Sequence, residues 1–304
     1  MESDAMHRTV VSPGRHLPML VLGGLLSVLT PRSALAQANA VGAVNAGQRV
    51  ELAGSWAPIA HEWVSNDTVP VDYTALPLND AGRTRALSYS ESQLGMIERQ
   101  CEGWSASYIL TGPFGLKISS EFDPVKGSLV SYTIAAWEDR LPLVIWMDGR
   151  PRPSKYAQHT RTGFTTGRWE KNTLVTYTTH MKEGFLRKNG APLSDQAAMT
   201  IRFVRHGTIL LLVGVIEDPV YLAEPMVWTR NFEVAATELA AVPAPCIATF
   251  EGTALTNDVP HWLWGKKPGI DELTKQYGIP ETAVLGFPET LYPEYRQKMK
   301  AAGR

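Results

Sequence analysis

From Ser105 to about Glu251 the chain is a succession of short segments in which apolar and polar residues alternate, divided by turn signals. Leu116, Ile118, Ser120 and Phe122 alternate with Lys117, Ser119 and Glu121, the period of a strand buried on one face. Gly127 to Trp137 and Leu141 to Met147 follow, the second ending in Asp148-Gly149, a pair that favours hairpins. Phe164 to Glu170 and Thr173 to Met181 join across Lys171-Asn172, and Met199 to Arg205 and Ile209 to Ile216 join across His206-Gly207. Pro225 to Val234 and Cys246 to Phe250 complete the series. Strands joined this tightly pair antiparallel, because parallel neighbours need long crossovers. The pattern predicts a mainly β fold over residues 51–256, an antiparallel barrel with a sandwich as the alternative.

The composition agrees. With 304 residues, 44% of them apolar and 19% charged, there is material for a large core, which excludes a mainly disordered chain. The 29 Lys and Arg against 30 Asp and Glu leave a net charge of -1, which makes no electrostatic case for nucleic acid or an anionic membrane surface. The glycines and prolines show no period, so collagen and coiled-coil readings fail, and there are no internal repeats.

The flanks differ from the centre. Leu78 to Tyr89 reads as a short helix capped by Asn79 or Asp80. From 257 to 304, proline-acid pairs at Pro280-Glu281 and Pro288-Glu289 predict two or three short helices packed on the β domain. Residues 37–50, mostly Ala, Gly, Val and Asn, read as a flexible leader. Residues 1–36 have the form of an export signal: a basic start at His7, Arg8, Arg15 and His16, an apolar stretch from Leu17 to Leu29, then Ala34-Leu35-Ala36. That stretch is too short to span a bilayer core of about 30 Å. The expectation is cleavage after Ala36, no remaining membrane span, and a periplasmic or secreted product; Glu2 and Asp4 are unusual there and leave Met6 as an alternative start. In an oxidising compartment Cys101 and Cys246 would form a disulfide worth up to roughly 5 kcal/mol; the alternative is two buried thiols.

Catalytic motifs are missing. There is no HExxH, no close pair of cysteines, no phosphate-binding loop, no G-x-S-x-G and no G-x-G-x-x-G, so no metal or cofactor is implied. His180, at the end of a strand whose face carries Leu174, Thr176 and Thr178, is the candidate acid-base residue, with Glu183, Asp148 or Asp218 to orient it. The plainer reading is a strand-end histidine hydrogen-bonded to backbone. Trp146, Asp148 and Arg150 cluster at one turn, Arg168, Trp169 and Glu170 at another; either set could hold an anionic group or form a structural clasp. His159 and Tyr221 join these as ligand-binding candidates. Of nine tryptophans, Trp56, Trp137 and Trp228 read as core, while Trp262 and Trp264 either lid a pocket or pack the tail.

Several of these residues stand in a recurring pattern. Trp146-Met147-Asp148-Gly149-Arg150-Pro151, His159-Thr160, Gly163 to Glu170, Thr178-Thr179-His180, Arg187-Lys188-Asn189-Gly190, Ser194-Asp195, Arg205-His206-Gly207, Asp218 to Leu222 and Tyr292-Pro293-Glu294-Tyr295 resemble a family of exported, largely uncharacterised bacterial β-rich proteins. The resemblance covers nearly all of the chain beyond the signal; it implies export and one β-rich unit, and it lends no reaction. Members of that family tend to carry an acid, usually Glu, where this chain has Ile201; if that acid is a catalytic base in the family, this chain lacks it. Gly54-Ser55-Trp56 is similar to the G-x-W of lipocalin-like barrels. Two functions follow as expectations: a barrel binding a small, largely apolar or aromatic molecule, or a cofactor-independent lyase, isomerase, hydratase or hydrolase built on His180. A third is an envelope interaction protein that uses the helical tail.

Overall fold

The computed structural model describes residues 50–59, 71–100, 105–111, 115–136, 141–239, 259–286, 292–294 and 297. The export signal with its cleavage site, the leader through residue 49, Trp137, Cys101, Cys246 and the strand expected from Cys246 to Phe250 lie outside the described residues.

The described chain forms eleven strands: β1 (Gly54–Pro58), β2 (Leu116–Phe122), β3 (Leu129–Ala136), β4 (Leu143–Trp146), β5 (Phe164–Glu170), β6 (Thr173–Thr179), β7 (Gly184–Phe185), β8 (Pro192–Leu193), β9 (Ala198–His206), β10 (Ile209–Glu217) and β11 (Met226–Val234). Nine close into a barrel in the order β1-β11-β10-β9-β6-β5-β4-β3-β2 and back to β1; β7 and β8 form a separate small pair. It is a barrel and not a sandwich. Alternation puts Ile118, Ile134, Leu174, Phe203, Leu212 and Phe232 inside, each at most 2% exposed. Ile201 faces inward beside them at 1%. Each such side chain stabilises the fold by roughly 1.5–3 kcal/mol. Trp56 plugs the core from β1, its indole donating to Leu52 O at 2.9 Å while the Arg205 guanidinium lies 5.2 Å from its ring.

The turns at Lys171-Asn172 and Gly207-Thr208 are two-residue hairpins, with Glu170 opposite Thr173 and His206 opposite Ile209. Asp148-Gly149 is not a hairpin, contrary to the expectation from its turn chemistry. β4 and β5 run parallel, Ile145 opposite Thr165 and Trp146 opposite Thr166, so the chain must return along the outside of the wall. The returning segment, 147–163, is a strap across β5 and β6. Arg152 stacks over the outward ring of Tyr177, 4.2 Å from its centroid, and Thr160 N donates to His180 O at 2.9 Å.

Thr178 pairs with Met199 and Glu217 with Ala198, so the connections after β6 and β10 leave the same end of the barrel. There they meet helix α1 (Asp80–Ser88). As the sequence predicts, Asn79 caps α1 by accepting from Gly82 N at 2.9 Å. The same residue ties α1 to the β10–β11 connection, since its Nδ2 donates to Val220 O at 2.9 Å and its N to Tyr221 O at 3.0 Å. A 3₁₀ turn (Glu91–Gly95) and helices α2 (Ile97–Gln100) and α3 (Ala106–Thr111) follow. No described helix is long and apolar enough to cross a membrane.

Helices α4 (Ile270–Tyr277) and α5 (Glu281–Val284) belong to the C-terminal segment. Asp271 and Glu272 occupy the first turn of α4, and Gly278, at φ 61°, closes it left-handed. The segment is fastened to residues 73–93: Trp262 N donates to Ser88 O at 2.9 Å, Gln93 Nε2 to Pro260 O at 2.7 Å and Tyr73 N to Val284 O at 3.0 Å. Lys267 supplies a buried ammonium to the same joint. Its Nζ donates to Tyr73 Oη at 2.9 Å, Ala86 O at 3.2 Å and Asn189 O at 3.5 Å, with Glu91 Oε1 3.8 Å away.

Burial lowers the Lys267 pKa from 10.5 to about 8. Between those values the unfolded chain holds more protons than the folded one, so stability rises with pH. The contribution is complete above 10.5 and is lost as pH falls through about 8. Tyr73 and Tyr89, both raised by burial, act in the opposite direction only above the ordinary tyrosine value of 10.0. Relative to Lys267→Met, the native protein is expected to gain about 2 kcal/mol between about pH 7 and about pH 9.5. Denaturant midpoints measure this, and a flat difference would show that the amine does not titrate there.

Candidate functional site

At the capped end, α1, α2, β7 and the strap enclose a cleft of about 260 Å³ lined by Arg85, Glu98, Arg99, Arg161, Glu183, Gly184 and Phe185. Arg85 comes from the last turn of α1, where a cation complements the helix dipole. Its Nη2 lies 3.1 Å from Glu183 Oε1. Burial raises the Tyr221 pKa, the Glu183 charge adds to this and Arg85 partly offsets it, so the phenol keeps its proton at neutral pH. Arg161 reaches in from the strap, Nη1 donating to Glu183 O at 2.7 Å. The Arg99 guanidinium meets no carboxylate among the described residues. Phe185 supplies the apolar wall, held by the ring of Tyr89 at 4.8 Å and 57°.

A second cleft, also about 260 Å³, lies at the C-terminal joint between Val71, Glu91, Trp262, Lys267, Pro268, Gly269 and Glu272. Trp262 lines it. Trp264, 71% exposed, instead sits at the tip of a turn closed by Lys266 N to Leu263 O at 2.9 Å.

His180 does not continue the alternation of β6. It takes the left-handed conformation, φ 59°, which turns its ring toward the strap. There Nε2 donates to Ser154 O at 2.9 Å, and Nδ1 and Thr179 Oγ1 are hydrogen-bonded at 2.9 Å. His159, 5.1 Å away ring to ring, donates from Nδ1 to Met181 O at 3.0 Å. No carboxylate contacts either imidazole among the described residues. Glu183 turns to Arg85 instead. Asp218, 4% exposed, spends both oxygens on the chain: Oδ2 accepts from Ser194 N, and Oδ1 from Ser194 Oγ, Val220 N and Tyr221 N, at 2.6–3.2 Å.

The turn residues assemble elsewhere, on the outer wall. Arg150 lies 3.3 Å from the centre of the Trp146 ring and grips Asp148, Nε and Nη2 meeting its carboxylate at 2.6–3.0 Å. That grip holds the Asp148 carboxyl below the usual carboxylate range. Arg168 makes the same clasp with Glu170 along β5. Trp169 points the other way, against the core. The structure thus brings Trp146, Asp148, Arg150 and Arg168 to one outer face and Glu183 and Tyr221 to the cleft end, with His159 and His180 pinning the strap. The sequence does not single out Arg85, Arg99, Arg161 or Phe185 as site residues; their one sequence signal is a basic residue closing a helix.

Comparison of the chain with protein-family models, with curated proteins and with solved structures gives no match in any of the three.

Proposed function

We propose that the protein binds a small molecule with an apolar or aromatic body and an anionic group, in the cleft between α1, α2 and β7. The observation that carries this is the pairing of Phe185 with three arginines, one of which, Arg99, meets no carboxylate among the described residues. Guanidinium forks match carboxylate and phosphate bidentately, and an aromatic wall favours an apolar body beside them. Glu183 on Arg85 occupies the place a ligand carboxylate would take. Binding rather than turnover is supported by His180, both of whose ring nitrogens are engaged within the protein. The signal-like first 36 residues and the motif resemblance support the further reading of an exported protein, periplasmic or secreted, of that β-rich family.

Calorimetric titration with benzoate and phenyl phosphate, against benzyl alcohol as the uncharged control, tests it. The anions are expected to saturate one site and the alcohol not to. Arg99→Glu should weaken them by about tenfold or more, equivalent to about 1.4 kcal/mol. Equal binding of the alcohol, or affinity unchanged in the variant, would overturn the assignment.

A further inference from the structure

The strap and the wall beneath it are richer in positive charge than the chain as a whole. Residues 144–182 hold seven Lys or Arg and two Asp or Glu, in a chain whose totals are 29 and 30. Strand register places Arg168 of this stretch on the same face as Arg202 of β9, whereas Arg161 turns to the cleft. Trp146, Thr166, Tyr177 and Thr200 stand opposite one another in a row across β4, β5, β6 and β9, and Arg168, Val175 and Arg202 form the next row. All point away from the barrel core. Val175 is only 5% exposed although it faces outward, because its register neighbours are two arginines with long apolar stems.

Above these rows the strap adds Arg150 over Trp146, Arg152 over Tyr177, and Lys155 4.9 Å from the ring of Tyr156, which is 85% exposed. Asp148 and Glu170 are each clasped by an arginine, and Glu121 of β2 borders the face on the Arg150 side. Arg152 and Arg202 meet no carboxylate among the described residues. Five cations, two clasped anions, Glu121 at the border and one protruding tyrosine make up the face.

We propose that this outer face is a docking surface for an anionic lipid bilayer. Its shape favours a surface over a threaded polymer, since it is the outer wall of a barrel and neither cleft described above lies on it. Guanidinium groups donate to lipid phosphate, and a tyrosine beside Lys155 is the residue type that settles at headgroup level. With one exposed aromatic and no apolar helix, the attachment is peripheral and driven by charge, so it weakens with salt.

Flotation of the full chain with vesicles tests the proposal. Equimolar phosphatidylglycerol and phosphatidylcholine vesicles should bind at low salt at least about tenfold more protein than phosphatidylcholine alone, and lose it near 0.5 M salt. The triple variant Arg152→Glu, Lys155→Glu, Arg202→Glu should abolish flotation while remaining folded by circular dichroism, and Lys155→Glu alone, which removes no packed stem, should weaken it. Lys275→Glu on α4 should float as the native protein does. Equal binding to both vesicle types, no binding to either, or flotation kept by the triple variant would overturn the proposal. So would loss of flotation in Trp264→Ser alone, which would move the contact to the 263–266 turn. Arg99→Glu leaves this face intact, so failure here and failure of the cleft assignment are distinguishable.

Discussion

Alanine at position 218 is expected to lower the unfolding free energy by about 4 kcal/mol, one of the two largest effects of any single change considered for this molecule. The carboxylate sits at the end of β10 and holds two connections at once. It accepts from the backbone of Ser194 before β9, and from Val220 and Tyr221 beyond β10. Hydrogen bonds to a charged group are worth roughly 1.5–3 kcal/mol each, and a buried donor left without its acceptor costs about 1–3 kcal/mol. Some of that returns if water enters, which is why the sum is not reached. Asp218→Asn separates charge from geometry. Its oxygen can still serve Ser194 Oγ, Val220 and Tyr221, but its amide then opposes Ser194 N, donor against donor. About half the loss is expected. Chemical denaturation monitored by tryptophan fluorescence reads both, and a Tm change under about 2 °C for the alanine variant would refute the clamp.

A side chain at Gly214 is the second large effect. Gly214 on β10 stands directly opposite Trp228 on β11, and a Cβ there would overlap the indole ring. The ring covers the glycine and fills the space its side chain would take. Gly214→Val should cost about 3 kcal/mol or more, because the indole can leave only by displacing packed neighbours. Gly214→Ala combined with Trp228→Leu should lose less than the two single changes added together, because the smaller side chain vacates the space the alanine needs. Strict additivity in that cycle would show that glycine and tryptophan do not share the space.

The hairpins β5–β6 and β9–β10 are legible in the sequence because one two-residue period runs through each pair and a short turn joins them. The cap on α1 is legible because Asn79 acts on its own backbone. Asp148-Gly149 misleads because a turn residue reports local curvature, whereas the partner of β4 is chosen by Thr165 and Thr166, beyond a long connection. His180 misleads for a related reason. Alternation assigns it the inner face, but one left-handed residue at the strand end reverses where a side chain goes. The cleft had only one local signal, the basic residue closing a helix, since Arg85, Arg99, Arg161 and Phe185 come from four elements. Net charge concealed the outer face. A sum of -1 describes the whole chain and says nothing about five cations gathered on one wall.

The seam where the barrel closes has a consequence in time. β1 meets β2 on one side and β11 on the other, so Trp56 pairs both with Leu116 and with Val234. During synthesis β1 can find the first partner early and must wait for the second until nearly the whole barrel has been made. Until then the growing sheet is open along two edges, with unpaired amides on β1 and on whichever strand is newest. Closing that seam joins the most distant segments of the barrel and carries the largest loop-closure entropy. The danger of wrong association is therefore concentrated before Val234 arrives, and it ends when the last strand docks.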